Sequence, residues 1–363
     1  MNILIFFVIL LVLVLVHEFG HFFTAKKFGI RVDEFGFGFP PRLFGIKKGE
    51  TEYTFNLLPI GGFVKIFGEN PDDENMNGPD RNRSFVNKPK WQQAIVLFAG
   101  VFANFLLAWL LFSFGFMSGL PTSVGNKIEG AELTDVHLIV VSVASESPAE
   151  GAGLKSGDKI TFIKKGNLST IYISPETVRS FVVSGEEIEI GYVRGKDTTE
   201  NFVKITPSRN ENGDAVIGIA MDQIGTAKLA VLPAFWEGLR LSAFITKSTA
   251  VGLFTLIFDG LKGQGSLESV TGPVGMVGIV GDAYEFGFIY LLSFAALISI
   301  NLAIINLVPF PALDGGRLFF LLIEKIKGSA MNPKVANTAN MVGFGILIIL
   351  MLVITYRDVV KLL

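Results

Sequence analysis

The sequence predicts an α-helical membrane protein: a four-span bundle with a membrane re-entrant β-loop and one inserted extracytoplasmic α+β domain. Two observations predict this class. Half of the 363 residues are hydrophobic and the mean hydropathy is +0.51, which is too apolar for an ordinary soluble domain. The long apolar runs lie towards both ends of the chain, and a polar stretch at residues 123–222 separates them.

The composition narrows the classes of function. The formal net charge is −2, so no excess of basic residues points to a nucleic-acid partner. The sequence has no cysteine, which excludes disulfides and thiolate metal sites. Any zinc site must therefore use nitrogen and oxygen ligands.

The first span is expected at residues 1–28. No charged side chain lies between Asn2 and Val16, and a helix of this length extends roughly 39 Å, enough to cross a bilayer with some tilt. The segment has no basic start and no A-x-A-type cleavage site. We therefore expect a retained span and not a cleaved signal peptide.

An H-E-x-x-H pentad at residues 17–21 interrupts this apolar run. His17 and His21 lie four positions apart and share one helix face, where two imidazoles can bind one zinc ion. Glu18 lies about 100° further round the helix, where it can act as a general base. The same pentad occurs by chance on solvated helices of soluble proteins. Ionisable groups inside a span are costly and mark function, which favours the metal site here.

Residues 29–92 are expected on the cytoplasmic side, because basic residues are frequent in this loop between spans. The segments 35–39 and 53–57 are typical of strands, and Lys47-Lys48-Gly49-Glu50 is typical of a turn. So many aromatic residues in such a loop predict that it dips into the membrane. A small cytoplasmic hairpin is the alternative. A polar surface loop is expected from residue 69 to 87.

A second span is expected at residues 93–117, with Asn104 at membrane depth. This span returns the chain to the outside, where the polar stretch begins. Strands are predicted there at residues 138–143, 188–193 and 202–205.

The polar stretch contains the motif S-P-A-x-x-A-G-L-x-x-G-D-x-I, from Ser147 to Ile160, which resembles a bacterial PDZ domain. The resemblance implies one PDZ domain of the α+β class at residues 123–222, on the extracytoplasmic side. Another small β domain is the alternative, and no clear carboxylate-binding loop is found. His137 is interpreted as a surface or core histidine and not as a ligand.

Residues 233–287 are expected to form an interfacial amphipathic helix and a connector. Glu237, Arg240 and Lys247 interrupt the apolar sequence, which fits a helix lying on the membrane. If this segment spanned the membrane, the next span would carry its acidic end to the face opposite the pentad. The Gly-rich segment Thr271–Gly275 is predicted to be the connector.

A third span at residues 288–316 ends in the pattern N-x-x-P-x-P-x-L-D-G-G, from Asn306 to Gly316. Its two prolines break the helix, and non-helical backbone at this depth is tolerated only against protein or a watery cavity. Asp314 reaches the same depth and side as the pentad, so it is the best candidate for a third metal ligand. A structural aspartate in a turn is the alternative. A fourth span at residues 341–357 closes the bundle.

The two motifs together give a resemblance to the site-two protease family of intramembrane zinc metalloproteases, in its bacterial PDZ-containing branch of the regulator of sigma-E protease type. H-E-x-G-H-x-x-x-A-x-x-x-G is matched from His17 to Gly29, and the proline-rich pattern from Asn306 to Gly316. The resemblance covers nearly the whole chain. Two departures are Val101, where the family usually has proline, and a single PDZ domain where some relatives have two.

The resemblance implies the roles of individual residues. Zn2+ is the implied cofactor, with His17, His21 and Asp314 as its ligands and Glu18 as the catalytic base. The substrate-binding positions carried over from the family are Asn306, Pro309, Pro311 and Asn104.

The resemblance also implies a multi-pass protein of the bacterial cytoplasmic (inner) membrane, with its active site near the cytoplasmic face. The implied substrates are single-span membrane proteins such as anti-sigma factors, cut after an upstream site-1 protease has made an outer first cut. Membrane lipid is the other expected partner, and no nucleic acid is expected. Clearance of remnant signal peptides is an alternative function. An inactive PDZ scaffold or a metal transporter fits less well, because the zinc set is complete and lies at one end of the spans.

Overall fold

The computed structural model describes residues 2–69, 77–126, 128, 130–183, 185–195, 199–210, 212–263, 270–329 and 331–362. The chain folds as two compact units. The first comprises Met1–Phe112, Gly238–Gly281 and Phe294–Leu363, and the second comprises Ser113–Glu237 and Asp282–Ser293.

Helices dominate both ends of the sequence. In chain order, the α-helices of the described residues are α1 (Asn2–Lys27), α2 (Lys90–Ser118), α3 (Pro148–Gly151), α4 (Pro175–Phe181), α5 (Val231–Leu261), α6 (Pro273–Phe286), α7 (Phe288–Leu307), α8 (Asp314–Lys327) and α9 (Pro333–Leu362). Two short 3-10 turns, Arg81–Arg83 and Phe85–Asn87, precede α2.

Within the described ranges, five helices are long and apolar enough to cross a membrane: α1, α2, α7, the segment Val231–Gly260 of α5 and the segment Pro333–Val360 of α9. Their number and length are those of an integral membrane protein. The sequence predicted four spans and assigned α5 to the membrane surface. By length and composition alone, α5 is a fifth candidate.

The predicted break at the two prolines is confirmed, and one predicted boundary was wrong. The helix in the 288–316 region ends at Leu307, before Pro309 and Pro311, because proline cannot continue the hydrogen-bonded ladder. Asp314 is therefore the first residue of a separate helix, α8. The last helix begins at Pro333, eight residues earlier than residue 341, since proline is well tolerated in a first helical turn.

The connector predicted at Thr271–Gly275 was also wrong in part, because α6 begins at Pro273. Proline again occupies the first turn, where its missing amide costs nothing. The neighbouring amides of Gly272 and Gly275 donate to the carboxylate of Asp358, at 3.3 and 2.9 Å. A carboxylate from α9 thus caps the start of α6.

The loop after α1 is a long β-hairpin, which confirms the predicted strands. β1 (Val32–Lys48) pairs antiparallel with β2 (Thr51–Ile66), and Gly49 at the tip takes the left-handed conformation. Phe37 stacks on Phe55 with ring centroids 4.5 Å apart. Large apolar side chains stay exposed along the hairpin, among them Leu43, Phe44 and Ile46.

The second unit is an α+β domain. Its strands are β3 (Leu120–Ser123), β4 (Leu133–Val143), β5 (Lys159–Lys165), β6 (Leu168–Thr170), β7 (Ile188–Val193), β8 (Asn201–Ile205), β9 (Ser208–Arg209), β10 (Ala215–Val216) and β11 (Ile219–Ala227). The main sheet has the order β3-β11-β4-β5-β7-β8, with β6 paired to β5. The strands predicted at 138–143, 188–193 and 202–205 are confirmed.

The S-P-A motif of this unit forms a helix start and supplies the buried acid of an ion pair. Ser147 accepts a hydrogen bond from the Glu150 amide and so caps α3, whose first residue is Pro148. Asp158 is fully buried and pairs with Arg194 through two 2.7 Å hydrogen bonds. These contacts explain the motif by local structure, and its assignment to a PDZ domain stays a prediction.

Candidate metal centre

The two histidines of α1 lie on one buried face, as their spacing predicts. His17 and His21 are 6% and 7% exposed, and their Nε2 atoms are 3.1 Å apart. Side chains four positions apart on a helix point in the same direction. Two ring nitrogens thus converge on one point.

Asp314 brings a carboxylate oxygen to the same point from the other end of the sequence. Its Oδ2 lies 3.0 Å from His17 Nε2 and 3.2 Å from His21 Nε2. The two glycines after it are buried, and a Cβ on Gly315 would stand 2.3 Å from the Leu307 and Val308 carbonyl oxygens. Only glycine allows α8 to begin so close to the end of α7.

These three donor atoms have the spacing that a zinc ion needs. Bonds of roughly 2.0–2.1 Å in a tetrahedral array separate neighbouring donors by about 3.3 Å, close to the 3.0, 3.1 and 3.2 Å found here. Two imidazoles and a carboxylate are a donor set that catalytic zinc sites use, with one position left for water or substrate. The residues therefore fit a zinc ion.

A backbone carbonyl of α2 fixes the tautomer of His21. His21 Nδ1 lies 2.8 Å from the Val96 carbonyl oxygen, and a carbonyl can only accept, so Nδ1 carries the proton. Nε2 then keeps its lone pair for a metal. Such outer hydrogen bonds orient histidine ligands and raise their basicity.

Asn104 lies behind the ring of His17. It is fully buried, its Nδ2 is 3.4 Å from His17 Nδ1, and its Oδ1 has no hydrogen-bond partner in the described part of the chain. Turning the amide by 180° lets Oδ1 accept from Nδ1–H and leaves His17 Nε2 free for a metal. This position differs from the substrate contact that the resemblance implied for Asn104.

Glycines let α1 and α2 approach closely enough for this geometry. A Cβ on Gly20 would stand 2.3 Å from the Ala99 carbonyl oxygen, and one on Gly100 would stand 2.4 Å from His21 Nε2. Both distances are far below van der Waals contact. Val101, where the family usually has proline, lies within α2, which continues through it as unbroken helix.

The histidines and Asp314 border a cavity of about 280 Å³, and Glu18 lines it too. Phe63, Val64 and Ile66 of β2 form one wall of the cavity, and Leu302 and Asn306 of α7 contribute to another. The Glu18 and Val64 residues lie together on the cavity lining. The cavity is thus lined by the three candidate ligands, by the Glu18 carboxylate and by a strand of the hairpin.

An ion pair beside this cavity was missed at the sequence level. Glu69, just after β2, lines the cavity and pairs with Arg317 on the first turn of α8. The pair ties the end of the hairpin to the helix that begins with Asp314. Its only sequence signal is an acid and an arginine in segments 248 positions apart.

The remaining predicted residues are distributed around the loop between α7 and α8. Asn306 lines the cavity. Pro311 lies on the other side of the loop, against α9, and Pro309 is exposed. The structure thus brings Asn306 to the histidines and Glu18, and does not bring the two prolines there.

Comparison with known proteins agrees with this site. The family model described as Peptidase family M50 matches residues 5–350. A Clostridium perfringens protein named as a candidate zinc metalloprotease is 35% identical over 352 residues, covering 96% of this chain and 95% of its own length. A Fusobacterium nucleatum protein named in the same way is 34% identical over 367 residues, covering 100% of this chain and 99% of its own length.

A further relative is the regulator of sigma-W protease RasP of Bacillus subtilis, which is 30% identical over 435 residues, covering 98% of each chain. The family match and these identities extend over almost the entire sequence. The chain therefore belongs to peptidase family M50, the site-two proteases, and is a zinc metalloprotease.

Proposed function

We propose that this zinc metalloprotease cleaves the transmembrane segments of single-span membrane proteins in regulated intramembrane proteolysis. One observation carries the proposal. Three donor atoms lie 3.0–3.2 Å from one another, two of them on the apolar helix α1 and the third on the first residue of α8, just after the apolar helix α7. Ionisable groups among membrane helices mark functional sites, which supports a substrate that is itself in the membrane.

In this proposal His17, His21 and Asp314 hold Zn2+, which when bound polarises the scissile carbonyl as a Lewis acid. Glu18 accepts a proton from the attacking water and delivers it to the leaving amine. Glu18 lines the same cavity as His17, His21 and Asp314, which supports this role. His21 keeps its proton on Nδ1 by donating to the Val96 carbonyl, and His17 does the same when the Asn104 amide is turned to present Oδ1.

The hairpin is proposed to receive the unwound substrate. A helical substrate hides its amide groups, so the segment to be cut must become extended. Strand β2 forms a wall of the cavity, and an extended segment can pair with a strand by backbone hydrogen bonds. Asn306 then offers a side-chain amide to the substrate backbone, and the exposed apolar side chains of the hairpin face lipid as a re-entrant β-loop.

The placement in the cell follows the same proposal. The basic residues of the 29–92 loop favour the cytoplasm for the metal-centre end of α1, and the second unit, as a PDZ domain, then lies outside the cytoplasmic membrane. The name of the Bacillus subtilis relative favours substrates of the anti-sigma type, trimmed first by an upstream site-1 protease. Clearance of remnant signal peptides uses the same chemistry and remains the alternative.

Glu18→Gln tests the proposal. The amide cannot accept the proton, so cleavage of a single-span substrate should fall to background, while zinc content should stay at one ion per chain because Glu18 is not a ligand. Asp314→Ala is the contrasting variant and should lose zinc as well as activity. The measurements are metal analysis of purified protein and cleavage of a substrate in detergent or liposomes. Loss of zinc from Glu18→Gln would mean that its role is misassigned.

A further inference from the structure

The turn that carries Asp314 to the histidines is held in an unfavourable backbone conformation. Ala312, two residues before Asp314, has φ of +75°. A residue with a Cβ rarely adopts this left-handed region, because its Cβ crowds the following carbonyl oxygen. Such a conformation persists only where neighbouring groups hold it.

A side chain of α9 holds it. The Ala312 amide donates a hydrogen bond to Asn340 Oδ1, at 3.1 Å. Asn340 is half-buried on the first half of α9, and it lies outside both motifs that the sequence analysis singled out. The contact joins residues 28 positions apart in the sequence.

A second contact of α9 with the same turn is independent of this hydrogen bond. A Cβ on Gly343 would stand 2.5 Å from the Pro311 carbonyl oxygen, whereas a Cβ on Gly345 would have open space. The close approach at Gly343 brings α9 against the turn. Asn340 lies one helical turn away from Gly343, on the same face, and can therefore reach the next amide.

We infer that Asn340 is a positioning residue of the metal centre: by holding the Ala312 amide it fixes the turn that aims Asp314 at His17 and His21. The inference rests on the proposed ligand role of Asp314. Without the Asn340 acceptor, the Ala312 amide has no reason to stay in the strained conformation. Asp314 then samples other positions, and the carboxylate donor is present for only part of the time.

Zinc release measures this effect without reference to activity. Purified full-length protein, loaded with one zinc ion, is mixed with a chromogenic chelator, and the rate of metal transfer is recorded. Asn340→Ala should release zinc about tenfold faster, at the lower end of the range for residues that support metal ligands. Asn337→Ala, at an exposed asparagine of the same helix, is the matched control and should behave as wild type.

Two further variants separate the hydrogen bond from packing. Asn340→Asp keeps the acceptor and should hold zinc as wild type does. Asn340→Leu keeps the volume without the acceptor and should release zinc as fast as Asn340→Ala. The inference would be overturned if Asn340→Ala released zinc at the wild-type rate. It would also be overturned if Asn340→Leu retained zinc while Asn340→Asp released it fast.

A change at Ala312 tests the same coupling from the other side and also serves if Asn340→Ala fails to fold. Glycine adopts the left-handed conformation without strain, so Ala312→Gly combined with Asn340→Ala should fold and restore slow zinc release. No restoration would count against the inference. Asp314→Ala is measured in parallel. If this variant retains zinc as wild type does, the proposed ligand set itself is refuted. If Asp314→Ala releases zinc fast while Asn340→Ala releases it slowly, only the role of Asn340 is refuted.

Discussion

At the residue scale, glycines shape the metal centre as much as its ligands do. The ring of His21 occupies the space where any side chain at residue 100 would begin, with 2.4 Å between Nε2 and the Cβ position. The ring cannot move away without leaving the Val96 carbonyl or the Asp314 carboxylate. Gly100 therefore defines the site although it carries no chemistry.

Gly100→Ala is expected to reduce zinc affinity and cleavage by at least about tenfold, because the new methyl group displaces the His21 ring from its outer hydrogen bond. Metal analysis after dialysis against a weak chelator is the measurement. Gly252→Ala on α5, where a Cβ meets nothing within 4 Å, is the control and should leave both properties unchanged. A Gly100→Ala protein that keeps its zinc and its activity would contradict the close packing of α1 on α2.

The residues that the sequence revealed are those whose chemistry is unusual where they stand. His17, Glu18 and His21 are conspicuous in an apolar run, and Asp314 follows a helix-breaking proline pattern. Asn340, Glu69 and the role of Gly100 could not be predicted, because each acts through a partner that is distant in sequence. An asparagine on an apolar helix has no pattern that names Ala312 as its partner.

At the element scale, the structure differs from the sequence prediction mainly where glycine and proline occur. Spans α1, α2 and α7 were predicted because uninterrupted apolar runs of that length are characteristic of helices that cross a bilayer. The hairpin was predicted from aromatic segments around a turn. Helix α6 was missed because Pro273 and its neighbouring glycines are typical of a connector, and proline in a first helical turn gives the same pattern.

The last helix is attached chiefly by its two ends. Only 6% of its most apolar stretch is buried inside the protein. At one end Asn340 and Gly343 meet the turn before Asp314, and at the other end Asp358 accepts hydrogen bonds from the Gly272 and Gly275 amides. Asp358 is 5% exposed, so its carboxylate is largely removed from water.

Asp358→Ala should destabilise the protein by about 1–3 kcal/mol, because it leaves the buried Gly272 amide and the partly buried Gly275 amide without an acceptor. Thermal unfolding in detergent, followed by tryptophan fluorescence, should show a lower Tm. Tyr356→Ala is a suitable control on the same helix, since Tyr356 is 73% exposed and its truncation removes little burial. An unchanged Tm for Asp358→Ala would show that the cap of α6 contributes nothing to stability.

At the scale of the whole molecule, the number of spans depends on α5. Helix α9 contacts the turn before Asp314 through Asn340 and contacts Gly272 through Asp358. Along the helix axis, Asn340 and Asp358 are about 27 Å apart. This distance is close to the thickness of the hydrocarbon core. If α9 crosses the membrane, Gly272 is expected near the membrane face opposite the metal centre.

The sequence after α5 limits where that helix can end. Ten residues, 262–271, separate Leu261 from Gly272, and they include Lys262, Gln264 and Glu268. If α5 crossed the membrane, this polar segment would have to cross back, and it is too short and too polar for a spanning helix. We therefore predict that α5 ends on the same face as Gly272 and lies along the membrane surface, which leaves four spans.

Labelling of single introduced cysteines distinguishes four spans from five. The sequence contains no cysteine that would have to be removed first. Lys262→Cys and Ser169→Cys should both react with a membrane-impermeant maleimide in intact cells, because both positions are predicted outside the cytoplasmic membrane. Asn332→Cys, between α8 and α9, should react only after the membrane is permeabilised. Both Lys262 and Asn332 are exposed in the structure, so a lack of reaction reports the membrane and not burial. If Lys262→Cys instead behaves like Asn332→Cys, then α5 crosses the membrane, and α7 would need a different route to bring Asp314 to the histidines.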